Sequence, residues 1–480
     1  MGVALLCAVS AAPASAVGGC CYRVGVSSRA INPDADGTFD GKPVYLGGYG
    51  IGSVRPATGV LGKGLHVRAI AISGGGGAIA IADIESQGMF AAYKEGRLGL
   101  EDMRKAVAAR TKGALEPSDV IIQTDHSHSG PDGLGVWGGV PTAYKQMVFD
   151  RTVSAIVRAY ESRRPGRLRY GAVHSAPLLS NQFSYDKVNQ GLDDEMRVLQ
   201  AIDDRGKTFA SLVNFSAHAT VLGSDNTLAS GDWPQAANPM LEKELGGKVV
   251  TMVGTLGRTQ PRDHDCPEAS LEGARRDLCR IRDYASRVVK RAALAASRAE
   301  PVKGKPLVTA RSYLIHDLAV SPLILGLDYV GDPLGTPVSR SLSPPWLTLD
   351  ILGTLTSSAR VGDVLISAVP GEAYPQIAAK VRRLVPAQGY MTAGLADDQL
   401  GYLIAPYEAY PEPIRRSFFN ERGDEVSPID NDNFFFNVSP TMGERVTCSL
   451  LRGAGEVFGA GQEYRDAYDR CSQFSNDLQN

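Results

Sequence analysis

Helical spacing of apolar residues is clearest over residues 142–162. There Met147, Val148, Ile156, Val157 and Tyr160 fall on one face, and Pro165-Gly166 supplies a stop. Residues 100–114 repeat the pattern through Met103, Ala106 and Val107. Residues 234–245 open on a proline, tolerated in a first turn whose N–H groups have no helical partner, and close at Gly246-Gly247. A basic amphipathic helix is expected over 269–298 with its charged side in solvent, and another helix through Ile377, Val381 and Leu384. Strand character appears between these stretches. Residues 64–84 hold two apolar runs around Gly74-Gly75-Gly76-Gly77, a hairpin signal. Residues 119–123, 197–202, 209–215 and 362–369 read as strands, the middle two joined by the polar turn 203–206. Pro, Gly, Ser and Leu dominate 322–356, which reads as a long ordered loop or lid. Strands leading into helices predict a mixed-sheet α/β catalytic domain whose site lies at strand ends.

Composition narrows the function classes. With 43% hydrophobic and 21% charged residues, the 480-residue chain can bury a core, as one large catalytic domain or two fused ones. Its 50 basic and 52 acidic residues are interspersed and leave no footprint for nucleic acid. The apolar run 3–12 and Ala14-Ser15-Ala16, a small-x-small cleavage site, predict a signal peptide over 1–16 and a mature domain over 17–480, although the usual basic n-region is missing. A competing reading takes Val17-Gly18-Gly19-Cys20 as a lipoprotein box. Both place the protein outside the cytoplasm, secreted or anchored through Cys20. No other apolar run approaches the ~20 residues that cross a bilayer. Cys266 and Cys279 lie close in sequence, as do Cys448 and Cys471, and each pair could staple a local loop in an oxidising compartment. The absence of CxxC spacing argues against a cysteine zinc site.

Candidate chemistry gathers at strand ends. Two of the seven histidines sit in Asp125-His126-Ser127-His128-Ser129-Gly130-Pro131, directly after the β-rich Val120-Ile121-Ile122. At a strand end, H-x-H points both imidazoles to one side. His218 follows the run ending Val213-Asn214-Phe215, and Glu372 follows a third strand in Ala368-Val369-Pro370-Gly371-Glu372. Imidazole and carboxylate without thiolate are the donors a catalytic zinc prefers, because they leave a position open for water.

At these residues the chain resembles the neutral, non-lysosomal ceramidases. Residues 125–131 are similar to that family's His-Thr-His-Ser-Gly-Pro segment, and 214–220 to its Asn-Phe-Ala-x-His-x-Thr. Ser230-Gly231-Asp232, Pro370-Gly371-Glu372, Gly401-Tyr402 and Gly47-Gly48-Tyr49-Gly50 follow the family's order, between about residues 22 and 445. The likeness is to the catalytic domain, without the family's C-terminal immunoglobulin-like domain. It implies one Zn2+ on His126, His218, Glu372 and Tyr402. It also implies that His128 stabilises an oxyanion or moves protons, and that a second tyrosine near the oxyanion falls on Tyr407 or Tyr410, of which Tyr410 is carried as the catalytic candidate.

Two positions depart from the family. Its Gly-Asp-Val-Ser-Pro-Asn appears as Gly257-Arg258-Thr259-Gln260-Pro261-Arg262, so Gln260 replaces the serine and cannot form an acyl intermediate there. The arginine that follows an asparagine appears as Gln182 after Asn181. The resemblance therefore implies a secreted zinc amidohydrolase working through activated water, with Gln260 as a wall or orienting residue. Its substrate would be a small-molecule or lipid N-acyl compound, with membrane contact only through that substrate. Two competing readings are an acyltransferase or esterase on the same site, and a non-catalytic binding protein that retains the metal. The five intact residues His126, His128, His218, Glu372 and Tyr402 argue against the second.

Overall fold

A computed structural model describes residues 22–50, 53–93, 98–182, 191–263, 265–268, 270–318, 351–404, 437–439, 441–459 and 461–469. The predicted hairpin is formed by β2 (His66–Gly74) and β3 (Gly77–Ile84), paired antiparallel about Gly75-Gly76. It lies inside the larger sheet with β1 (Tyr22–Ala30), β4 (Val120–Thr124), β5 (Arg164–His174), β6 (Glu195–Ile202), β7 (Thr208–Phe215) and β8 (Lys248–Val253), in the order β8-β7-β6-β5-β1-β2-β3-β4. The second sheet contains β9 (Val308–Leu318), β10 (Ile351–Val361), β11 (Val364–Ala368) and β12 (Gly389–Ala393), in sequence order. The structure thus has the mixed α/β architecture expected. Parallel pairing occurs at β3–β4, β7–β8 and β11–β12.

β4 and β8 end opposite edges of the larger sheet, yet the segments leaving β4 and β7 meet. The sheet therefore curls, and the second sheet fills the space between its edges. Ile70, Ile81, Ile121, Leu212, Met252, Ile366 and Met391 form the core they share. Two buried polar side chains join the sheets. Asn214 at the end of β7 donates from Nδ2 to Met252 O (3.0 Å) and Thr392 O (2.9 Å) and accepts from Thr392 N (3.2 Å). Asp397, just after β12, accepts from Ile122 N (3.0 Å) and from the Ser357 hydroxyl (2.8 Å). Groups buried this deeply need such partners, since losing hydration without replacement costs several kcal/mol, about 2–7.

Helices cover the outside. α1 (Leu100–Arg110) and α2 (Thr142–Glu161) bury Met103, Val107, Val153 and Ile156 against the hairpin side. α3 (Asp232–Leu245) and α4 (Gly273–Ser297) bury Trp233, Leu241, Tyr284 and Val288 beside β6 and β7. α5 (Pro375–Leu384) and α6 (Met442–Phe458) cover the second sheet through Ile377, Val381, Val446 and Leu450. Cys266 and Cys279 form a disulfide at the start of α4, and Cys448 in α6 is also disulfide-bonded. No helix among the described residues is long and apolar enough to cross a membrane.

Two expectations change. Pro165 and Gly166 are not what stops α2, which ends before them at Glu161; both residues open β5, paired with Arg23 and Tyr22. Of the loop expected over 322–356, residues 351–356 belong to β10, whose partner β9 the local pattern does not announce; 322–350 lie outside the described residues.

Candidate metal centre

Four irregular segments converge where β4, β7, β8 and β11 end. The one leaving β4 carries His126 and His128, whose rings are 4.9 Å apart and nearly perpendicular. Strand alternation does not produce this meeting. Both residues lie beyond the end of β4, and His126 has φ +57°, a left-handed conformation costly for a residue with a Cβ. That turn, rather than a period of two, aims both rings inward. His218 follows β7 and lies 5.3 Å from His126 and 6.0 Å from His128 by ring centres. One nitrogen from each imidazole falls within 4.8 Å of the others, so this triad could hold a metal ion.

Hydrogen bonds fix the tautomers of two of the three. His126 Nδ1 lies 2.8 Å from Gln87 O and His218 Nδ1 2.9 Å from Thr259 O. A carbonyl oxygen only accepts, so both Nδ1 atoms carry hydrogen, and in the neutral rings both Nε2 atoms present lone pairs. Those Nε2 atoms approach the same Glu372 Oε2, at 3.3 Å and 3.1 Å. Three acceptors facing one point require a cation or a proton between them. The fit to a metal is good: the donors are two oriented imidazoles and a carboxylate, and both imidazoles have the backbone support typical of ligating histidines.

The electrostatics agree. Burial would raise the Glu372 pKa, but His126 and His218 outweigh it and hold the carboxyl far below the usual range. Burial opposes charge on His126, yet Glu372 outweighs this and raises its pKa. Burial, then His126 and His218, push His128 well below the ordinary histidine value, leaving a neutral imidazole. Neither ring nitrogen of His128 has a hydrogen-bond partner among the described residues. A side chain with no second partner to orient it is poorly suited to ligation and well suited to meeting a substrate.

The motifs around the histidines hold this geometry. Asp232, with φ +55° at the start of α3, accepts from the N–H groups of Val221 (3.1 Å), Leu222 (2.9 Å) and Trp233 (2.7 Å). The Trp233 indole donates to His218 O at 3.0 Å. Ser127 Oγ donates to Ser230 O (2.6 Å) and Ser230 N to Ser129 O (2.8 Å), which ties the two histidine segments together. Gly371 is required by close approach, because a Cβ there would lie 2.4 Å from Gly401 O. That contact lets Glu372 N donate to Gly401 O (2.8 Å) and pairs Glu372 with Tyr402 in a short parallel ladder. Paired residues face the same way, so Tyr402 shares the face of Glu372.

No family model matches the chain. It is 28% identical over 158 residues to neutral ceramidase B of Dictyostelium discoideum, covering 29% of this chain and 21% of that protein. It is 30% identical over 139 residues to neutral ceramidase of Pseudomonas aeruginosa, covering 26% of this chain and 21% of the relative. The matched region thus spans about a fifth of the length of these curated relatives. The solved neutral ceramidase from Pseudomonas aeruginosa superposes with a TM-score of 0.63 at 18% identity, covering 89% of this chain and 75% of that one. The chain thus has the fold of the neutral ceramidases and is similar to them in sequence over about 30% of its length. A second solved structure, a ceramidase complexed with C2, gives 0.65 at 16% identity over 90% and 76% of the two chains. The fold likeness therefore extends well beyond the roughly 30% of the chain where sequence identity is detectable.

Within this fold, the structure brings together His126, His128, His218 and Glu372, with Tyr402 one strand away. Gln260 lies on the same wall. Its Oε1 accepts from the Thr220 hydroxyl (2.7 Å) and its Nε2 donates to Gln182 Oε1 (3.0 Å), so the two departures from the family pattern touch each other. Tyr407 and Tyr410 lie outside the described residues, as do Cys20, Cys21 and Cys471. Sequence reasoning gave no role to Tyr49 and Arg55, which pack against His128, or to the buried Arg258, whose guanidinium lies 5.2 Å from the centre of the Tyr374 ring. The Gly47–Gly50 motif was the available signal for the first two.

Proposed function

We propose that this chain is a zinc-dependent amidohydrolase of the ceramidase type, acting outside the cytoplasm on an N-acyl compound with a lipid-like acyl chain. The observation that carries the reading is the convergence of two tautomer-fixed Nε2 lone pairs and the Glu372 carboxylate on one point. His126, His218 and Glu372 would hold the ion, with Tyr402 completing the set from the neighbouring strand. Nitrogen and oxygen donors without thiolate favour zinc in a catalytic rather than a structural role. Bound there, zinc supplies Lewis-acid polarisation of an amide carbonyl and lowers the pKa of water towards 7.

The chain's own groups do the rest. His128, neutral and without a fixed partner, donates a hydrogen bond from its one N–H to the carbonyl oxygen as negative charge develops, while its other nitrogen can take the proton that the attacking water gives up and return it to the departing amine. Gln260 lacks a nucleophilic oxygen, which favours attack by water over an acyl-enzyme. The ceramidase relatives support an amide substrate, and the Cys266–Cys279 disulfide supports an oxidising compartment.

Metal analysis of the purified chain, coupled to hydrolysis of fluorogenic N-acyl amides of graded acyl length, tests this reading. About one zinc per chain is expected, with hydrolysis lost on chelation and restored by zinc. A metal-free chain, or a zinc-loaded chain that cleaves only esters, refutes it.

A further inference from the structure

The Gly47–Gly50 loop brings a second aromatic polar group to the centre. The Tyr49 ring lies 4.6 Å from the His128 ring, tilted by 45°. Its hydroxyl is shielded from solvent and has no hydrogen-bond partner among the described residues, and the same holds for both ring nitrogens of His128. Two adjacent side chains thus hold three unsatisfied polar atoms. Proteins rarely leave such groups orphaned, and neighbouring orphans mark a place where something else binds.

The loop is locked in this position. Arg55 donates through Nη2 to both Gly47 O and His128 O, bridging the loop to the histidine segment. Its Nη1 donates to Asn226 O (2.7 Å) and Ser224 O (3.1 Å), and its guanidinium carbon lies 5.2 Å from the centre of the Tyr49 ring. Gly47 N donates to Gly130 O (2.9 Å), and the Trp137 indole donates to Gly50 O (2.7 Å). A Cβ on Gly48 would sit 1.9 Å from Trp137 Cδ1, so only glycine permits this packing. Rigid support of this kind is what a hydrogen-bond donor needs if it is to act without reorganising.

We propose that Tyr49 is a catalytic residue of this centre: its hydroxyl donates a hydrogen bond to the carbonyl oxygen of the substrate amide, beside His128 and without giving up its proton. The proposal rests on the amidohydrolase reading. It assigns the aromatic donor to the N-terminal glycine loop.

Tyr49→Phe in the zinc-loaded enzyme is the test, because it deletes one oxygen and keeps the ring against His128. On the best amide substrate, kcat should fall about 10- to 100-fold with KM changed less than threefold. Zinc content and melting temperature should match wild type. Affinity for octanohydroxamic acid, a carbonyl-like metal ligand, should weaken about tenfold. A structural role for the ring would leave all of these readings unmoved, since phenylalanine preserves the packing. Tyr49→Phe with kcat and hydroxamate affinity within twofold of wild type overturns the proposal and leaves the amidohydrolase reading standing. A wild-type chain that holds no zinc or cleaves no amide refutes that reading, and the role of Tyr49 falls with it.

Discussion

Replacing Asp232 by alanine should destabilise the protein, and by more in acid than at neutral pH. The carboxylate is fully buried and accepts three backbone N–H groups, from Val221, Leu222 and Trp233. Orphaning each donor costs about 2 kcal/mol, and alanine at φ +55° adds about 1 kcal/mol of backbone strain. Against this, burial pushes the Asp232 pKa up to about 6 despite the three hydrogen bonds. Holding the charge there at pH 7.5 therefore costs about 3 kcal/mol, which alanine recovers. The net loss at pH 7.5 is about 4 kcal/mol. A group whose folded pKa is raised contributes its full stabilisation below the unfolded value, about 3.9, and loses it as pH rises through 6. Between pH 7.5 and pH 4.5 the gap between wild type and Asp232→Ala should widen by about 2–3 kcal/mol. Urea unfolding of both proteins in EDTA at the two pH values measures it, and groups common to both cancel in the difference. A gap that stays constant or narrows on acidification would show that the carboxylate bears no such burial cost.

His218→Ala should remove one of the two tautomer-fixed nitrogens and abolish stoichiometric zinc; full zinc in the purified variant would remove His218 from the ligand set. His128→Ala should keep its zinc and lose on the order of a hundredfold or more in kcat. Zinc loss instead would mean that His126 and His128 exchange roles. Gln260→Ser should shift preference among acyl amides more than it changes zinc content, with no pre-steady-state burst in wild type. A covalent acyl adduct trapped on any wild-type side chain would overturn attack by water.

Legibility from sequence follows how local each feature is. The hairpin and α2 announce themselves because tight turns and long amphipathic periods need no distant partner. β5 stays hidden because Arg164-Pro165-Gly166-Arg167 looks like a turn, and only its place beside β6 and β1 makes it a strand. The two-residue ladder of Glu372 with Tyr402 has no local signature at all. A lone tyrosine reads as a core aromatic, and Tyr402 entered the site through family resemblance. The convergence of His126 and His128 was foreseen for the wrong reason, since it depends on a left-handed turn that alternation does not describe. The Ser-Gly-Asp motif is visible in the chain, whereas its task, capping the loop after His218 through Asp232, is visible only in three dimensions.

The same distinction explains the two departures from the family pattern. Gln182 and Gln260 lie 78 positions apart and look like independent losses of an arginine and a serine. In the folded chain one carboxamide donates to the other at 3.0 Å, while Thr220 holds the far side of Gln260 at 2.7 Å. A serine at 260 would be too short to span that gap, and an arginine at 182 has no acceptor to offer Gln260. Each change makes sense only with the other. Together they put a neutral, hydrogen-bonded carboxamide pair where the family pattern has a hydroxyl and a cation, so neither of these two side chains brings positive charge to a developing oxyanion. In the proposed mechanism that charge falls to the metal and to the donors beside the histidine cluster. His128 and Tyr49 are the groups there whose polar atoms have no partner among the described residues.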